Sequence, residues 1–177
     1  MTTLETGRMA LRPFAAADWP DLRLIQGDPA AADTLSADGE PFSEAQTQRS
    51  AAAWDAHWTA HGFGIWYAQD RQTEGFCGYA GVEHTIAEGR GVVELAYGVV
   101  PAFWRQGRAS ELARAVVDHA FETLPLHRLD CFTLTRNTGS RKVMEGAGFR
   151  FTHEGLHADL PHRFCVLTRD IWAAGRA

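Results

Sequence analysis

The sequence predicts one α/β domain, an α+β arrangement with a mixed, mostly antiparallel sheet of six to seven strands flanked by about four helices. Three observations predict it. The chain has 177 residues and no Ser/Gly linker, charge block or repeat period to divide it, which suits one domain that buries about 70% of its unfolded surface. Between residues 63 and 100 three short runs rich in aromatic and β-branched residues alternate with turn segments, the pattern of antiparallel strands. After Gly107 the apolar residues recur with a helical period, and helix and strand signals alternate to the C-terminus.

Taken in order, Leu4 to Phe14 alternates loosely as a first strand and ends at Pro13. Asp18 can cap a short helix that carries Pro20 in its first turn and stops near Gly27. Residues 28 to 42 read as a loop. Ser43 and Gln46 form a capping box that opens a helix to about His61, with Ala51, Trp54 and Trp58 on one face and Gly62 as terminator. Phe63 to Gln69, Gly75 to His84 and Gly91 to Val100 make an antiparallel meander, turning at Asp70 to Glu74 and at Ala87 to Arg90. From Gly107 to Leu124 a helix gathers Leu112, Val116, Val117, Ala120 and Leu124 on one face. Leu126 to Leu134 is a strand, and Asn137 caps a helix that ends at Gly146 or Gly148. Phe149 to His153 and Arg163 to Thr168 supply the last two strands.

Composition excludes several functions. With 45% hydrophobic and 22% charged residues, the chain is neither disordered nor fibrous. A net charge of −5 lacks the Lys and Arg surplus that neutralises phosphates, so no nucleic-acid partner is expected. Cys77, Cys131 and Cys165 are odd in number and outside any CxxC pair, which argues against a disulfide framework or zinc ribbon and fits a reducing cytoplasm. The N-terminus has no basic segment followed by an apolar stretch, and the longest apolar run, Leu95 to Trp104, is too short to span a bilayer and contains Pro101. A soluble cytoplasmic protein without membrane partners is the expectation.

The chemically informative stretch runs from Glu94 to Leu112: a strand ends, Pro101 forces a turn, and a small-residue loop leads into the long helix. The first amides of a helix lack internal partners and sit at the positive end of its dipole. Main-chain NH groups of Gln106, Gly107, Arg108, Ala109 and Ser110 can therefore hold a pyrophosphate, with Gly107 and Ala109 allowing close approach and Arg105 and Arg108 adding positive charge. Many strand-to-helix turns contain Gly and Arg, so an ordinary turn reads equally well from this stretch alone. A P-loop and a dinucleotide GxGxxG are both absent.

Trp104-Arg105-Gln106-Gly107-Arg108-Ala109 resembles the pyrophosphate loop of the GNAT superfamily of acetyl-CoA-dependent N-acetyltransferases, Gln/Arg-x-x-Gly-x-Gly/Ala, from Gly107 onward. Trp104 departs from the usual Gln/Arg. An aromatic-Trp pair at that place, with the spacing of Glu94, Tyr97 and Pro101, is similar to the branch of ribosomal-protein N-terminal (Rim-type) acetyltransferases. Asn137, Ser140 and the closing Gly148-Phe149 resemble that branch's second motif, and the segment from Arg8 to Phe14 with Asp18 its opening, so the likeness covers essentially the whole chain. The resemblance implies a single GNAT domain over residues 1–177 whose fourth and fifth strands splay apart. It implies acetyl-CoA (coenzyme A) as co-substrate, with the pantetheine arm between those strands, hydrogen-bonded by Gly98 and Val99, and the diphosphate on Trp104 to Ser110. Asn137 would contact the pantetheine portion as well as cap its helix.

Acetyl transfer from a thioester to an amine needs a neutral amine, a polarised carbonyl and a proton for the departing thiolate. Glu94, on the strand leading to the loop, is the candidate base; pairing with an arginine or simple orientation of substrate are its other readings. Ser140, in the first turn of its helix, is the candidate acid by resemblance, or only a hydroxyl satisfying backbone groups. Met144 stands where many relatives carry a tyrosine acid, which motivates an alternative: a non-catalytic acyl-CoA-binding sensor or interaction module on the same fold. His57 and His61 are spaced i, i+4, but Trp58 replaces the Glu of HExxH and no third ligand is indicated, so they read as surface histidines and no metal is expected. Glu83 with His84, and His157, Asp159 and His162, are polar groups where an acceptor pocket could form, with solvated strand ends and loops as the plainer account. The acceptor is expected to be a small-molecule amine or a protein N-terminus, and the acidic balance favours a cationic one. A homodimer is compatible with the sequence but has no signature in it.

Overall fold

In the computed structural model, which describes residues 3–36 and 38–176, the strands form one eight-stranded sheet in the order β1-β2-β3-β4-β5-β6-β8-β7. The strands are β1 (Leu4–Glu5), β2 (Met9–Pro13), β3 (Ile65–Asp70), β4 (Phe76–Ala87), β5 (Arg90–Val99), β6 (Arg128–Leu134), β7 (Arg150–His157) and β8 (Leu160–Thr168). Every neighbouring pair is antiparallel except β5 with β6. The expected class therefore holds, with one strand more than expected. The first run divides because Thr6 turns the chain: its hydroxyl accepts from the Met9 amide at 2.9 Å, and its own amide donates to the Met9 carbonyl at 2.9 Å.

Among the described residues six α-helices surround the sheet: α1 (Trp19–Gln26), α2 (Pro29–Leu35), α3 (Glu44–His61), α4 (Arg108–Thr123), α5 (Thr138–Gly146) and α6 (Arg169–Ala174). The capping box of α3 forms as read, Ser43 with Gln46 in both directions, and Gly62 ends the helix at φ 73°. Two helices were not anticipated. The stretch read as a loop contains α2, nucleated by Asp28, whose carboxylate accepts from the Ala30 amide at 2.7 Å with Pro29 in the first position. Thr168 likewise caps α6, accepting from Ile171.

Two large apolar cores lie on the sheet among the described residues, and a small third cluster joins Ala87 and Val92 to Phe164. Leu22, Ile25, Ala31, Ala51 and Trp54 of α1, α2 and α3 pack with Phe14, Ile65, Tyr67 and Tyr79. Leu112, Val116, Val117, Ala120 and Phe121 of α4 and Met144 of α5 pack with Leu11, Val82, Leu95, Leu129 and Leu167. Alternation along β4 and β5 decides which residue serves which core, so Glu83 and Glu94 lie on one face of the sheet and Tyr97 on the other.

Candidate active site

β5 pairs with β4 along its whole length, from Ala87 opposite Arg90 to Gly78 opposite Val99, but meets β6 at a single registered pair, Glu94 opposite Asp130. Beyond that pair the two parallel strands part, which is the expected splay. The Cys131 thiol donates to the Leu95 carbonyl at 3.3 Å at the base of the gap. Alternate residues of a strand present NH and C=O to the same edge, so Tyr97 and Val99 turn theirs into the gap and Gly98 turns its own toward β4. Gly98 is required for space: a Cβ there would lie 2.6 Å from the Tyr79 ring.

The loop after β5 is fastened to the strand end by Trp104, whose indole NH donates to the Val99 carbonyl at 2.7 Å. Arg105 (φ 60°) and Gly107 (φ 77°) both adopt the left-handed conformation, so the chain coils tightly before α4 begins at Arg108 without a side-chain cap. Among the hydrogen bonds of the described residues, none uses a main-chain NH from residues 105 to 110 as donor. Six consecutive amides thus lack a partner among the described residues at the positive end of a 16-residue helix. The two loop arginines differ. Arg105 is exposed, whereas the Arg108 side chain turns inward to an ion pair with buried Asp70, also donating to Gln106 Oε1 at 3.0 Å and lying 4.5 Å from the Phe103 ring centre. Arg108 offers the loop its main-chain amide and not its charge. Arg8 braces the loop from outside, donating to the Gln106 carbonyl at 2.7 Å and pairing with Glu111 at 2.6 Å.

Glu94 faces Glu83 across β4 and Asp130 across β6. Asp130 is paired by a bidentate contact with Arg128 at 2.6 and 2.8 Å, but the Glu94 carboxylate makes no hydrogen bond or ion pair with the described residues. Burial first, then the charges of Glu83 and Asp130, push the Glu94 carboxyl well above its usual range; burial raises Glu83 too. On the other face of β5, the Tyr97 hydroxyl lies 2.8 Å from Ser140 Oγ and donates to the Ser140 carbonyl at 3.0 Å. Asn137 caps α5 by accepting from the Ser140 amide at 3.0 Å. Met144 is fully buried beneath, its sulfur 3.8 Å from Ser140 Oγ. Sequence reasoning missed Tyr97 as a partner of Ser140. The two are 43 residues apart, and only the packing of α5 against β5 joins them.

Other candidates sort by position. His157 and His162 of the β7–β8 hairpin lie tilted and edge-on to Phe132 of β6, with ring centres 4.6 and 5.9 Å from it. The i, i+4 pair on α3 gains the third imidazole that its spacing did not indicate: His84 of β4 brings its ring centre to 4.6 Å from His61 and 5.4 Å from His57.

A parted sheet thus lies beside a helix start with unpartnered amides, with a carboxyl group on one face of β5 and hydroxyl groups on the other. Residues 8–150 match the family model of the acetyltransferase (GNAT) domain. The chain belongs to the GNAT acetyltransferase family and is an N-acetyltransferase. It is 32% identical over 85 residues to the uncharacterized N-acetyltransferase YoaA of Bacillus subtilis, 48% of each chain. It is 32% identical over 151 residues to the FsC-acetyl coenzyme A-N(2)-transacetylase of Aspergillus fumigatus, covering 82% of this chain and 64% of that protein. Among solved structures, an acetyltransferase from Agrobacterium tumefaciens superposes with a TM-score of 0.80 at 27% identity, covering 94% of both chains. RimL, a ribosomal L7/L12 alpha-N-protein acetyltransferase solved with coenzyme A, superposes with a TM-score of 0.75 at 13% identity over 96% of this chain and 99% of that one.

Proposed function

We propose that the protein transfers the acetyl group of acetyl-CoA to a primary amine within a ternary complex. The observation that carries this reading is the run of six open amides, from Arg105 to Ser110, adjoining the unpaired edge of β5. The diphosphate sits on Trp104 to Ser110, the pantetheine arm lies in the gap along Gly98 and Val99 with Asn137 beside it, and the thioester reaches the level of Glu94. Glu94 takes a proton from the incoming ammonium, and the neutral amine attacks the thioester carbonyl. The C–S bond breaks as the amide forms, the thiolate takes a proton from Ser140, whose Oγ Tyr97 positions, and solvent returns a proton to Ser140 and takes up the one held by Glu94. The raised affinity of Glu94 for a proton matches it to that role. Base and acid on opposite faces of β5 allow the amine to enter from one side of the gap and the thiol to leave from the other.

The acceptor is a small-molecule amine or a protein N-terminus, taken up in the cytoplasm; RimL, with the same fold, acts on a protein N-terminus by its name. Among the described residues no helix is long and apolar enough to cross a membrane. A free-thiol assay over a panel of peptide N-termini and small amines tests the reading. Glu94→Gln is expected to lower kcat by about 10²–10⁴-fold with acetyl-CoA binding intact. Tight acetyl-CoA binding without turnover on any amine of the panel overturns the proposed acceptor class.

A further inference from the structure

Away from the gap, His57, His61 and His84 converge where the C-terminal turn of α3 meets β4. Among the described residues they form a set of three metal-ligating side chains whose ligand atoms all lie within 4.8 Å of one another. We propose that these three imidazoles form a binding site for a borderline divalent transition ion of the zinc, nickel or copper class. The inference does not depend on the transferase reading.

The hydrogen bonds around His57 fix which nitrogen is available. Its Nδ1 lies 2.8 Å from the Phe63 carbonyl, which can only accept, so Nδ1 carries the proton and Nε2 holds the lone pair. A backbone carbonyl on the non-ligating nitrogen is the usual outer-shell device that orients a histidine ligand. The Nε2 lone pair points at β4, where it now accepts from the main-chain NH of His84 at 3.0 Å. That NH lies beyond Gly81, the last β4 residue paired with β3, and His84 is exposed, so water can replace the imidazole when an ion takes the lone pair.

The other two ligands are free to adjust. His61 and His84 are exposed, and neither ring makes a hydrogen bond with the described residues. Metal–nitrogen bonds of about 2.0–2.1 Å in a tetrahedron put ligand nitrogens about 3.3 Å apart, so closing the set needs movements of about 1.5 Å or less. Three neutral imidazoles select zinc, nickel or copper over magnesium or calcium, and they leave further coordination positions to water. Bound there, an ion would clamp α3 and the 62–64 turn to the free edge of β4.

Isothermal titration of the full chain with ZnCl₂ at pH 7.5 tests the site, with MgCl₂ as control. One zinc per chain is expected, weakened about tenfold or more in each of His61→Gln and His84→Gln. Binding that is absent, or unchanged by His84→Gln, overturns the proposal, the latter outcome reducing it to an i, i+4 helix pair. Electron paramagnetic resonance of the unmutated protein with one equivalent of Cu²⁺ gives a readout that needs no variant: three imidazole nitrogens support the site and two or fewer overturn it. Acetyl-CoA binding is measured in the same variants and is expected to be unaltered, which keeps this result separate from the fate of the transferase reading.

Discussion

Glu94 is stabilised in its protonated form, and this has a consequence for stability that is independent of catalysis. A carboxyl whose affinity for a proton is raised on folding contributes fully below the ordinary carboxyl range, and that contribution drains away as pH climbs through the raised value. Glutamine mimics the protonated state. Glu94→Gln is therefore expected to melt above the parent at pH 8, by on the order of a few degrees, with the difference closing toward pH 4; calorimetric scans across that range check it. Tyr97→Phe removes the hydroxyl that contacts Ser140 at 2.8 Å. It is expected to cost about 0.5–1.5 kcal/mol in urea unfolding and, if Ser140 passes on a proton, to lower kcat with little change in the KM of the amine.

At the level of the element, α4 is anchored by what its first side chain does. Arg108 points away from the ligand loop to Asp70 at the end of β3, where the Thr73 and Gln72 amides also reach the carboxylate at 3.0 and 3.1 Å. The Thr73 amide, and after it Arg108, hold the Asp70 carboxyl down at about 2. Its contribution is present above the ordinary carboxylate range and is lost as pH falls toward 2. Asp70→Asn leaves Arg108 without its counter-charge and is expected to cost about 3–5 kcal/mol in denaturant unfolding at pH 7, with weaker acetyl-CoA binding as the start of α4 shifts.

The same scale shows what the sequence could and could not disclose. Helix α3 was readable because Ser43, Gln46 and Gly62 each act within a few residues of one another. α2 escaped because seven residues of mostly Ala and polar type carry little amphipathic signal, although Asp28-Pro29 held the start information. β7 was read short because it is the outermost strand and most of its residues are exposed, so the alternation that marks a half-buried strand is missing. The amide loop was legible from Gly107 and its neighbours. The inward turn of Arg108 was not, since it depends on Asp70, 38 residues earlier.

For the whole molecule, the sheet is two leaves, β1 to β5 and β6-β8-β7, that share the pair Glu94 and Asp130 and are strapped together by α4, where Arg114 reaches the Gly146 carbonyl and Asp118 the Trp172 indole. A co-substrate lying between the leaves binds only the folded arrangement. Acetyl-CoA at a hundred times its dissociation constant is expected to stabilise the fold by about 2.7 kcal/mol, measurable as a rise in Tm, with amide exchange slowed at residues 97–99 and 105–110. One joint between two leaves also bears on how such a chain can diversify. The β7–β8 hairpin reaches back across that joint, His153 lying 3.0 Å from the Glu88 carboxylate and Phe164 packing with Ala87 and Val92, so it is tied to the β4–β5 turn and stands apart from the amide loop. A foreign hairpin grafted there must therefore supply its own partners for Glu88, Ala87 and Val92, or the outer end of β5 loses its lateral support while the loop at the other end of that strand is inherited intact.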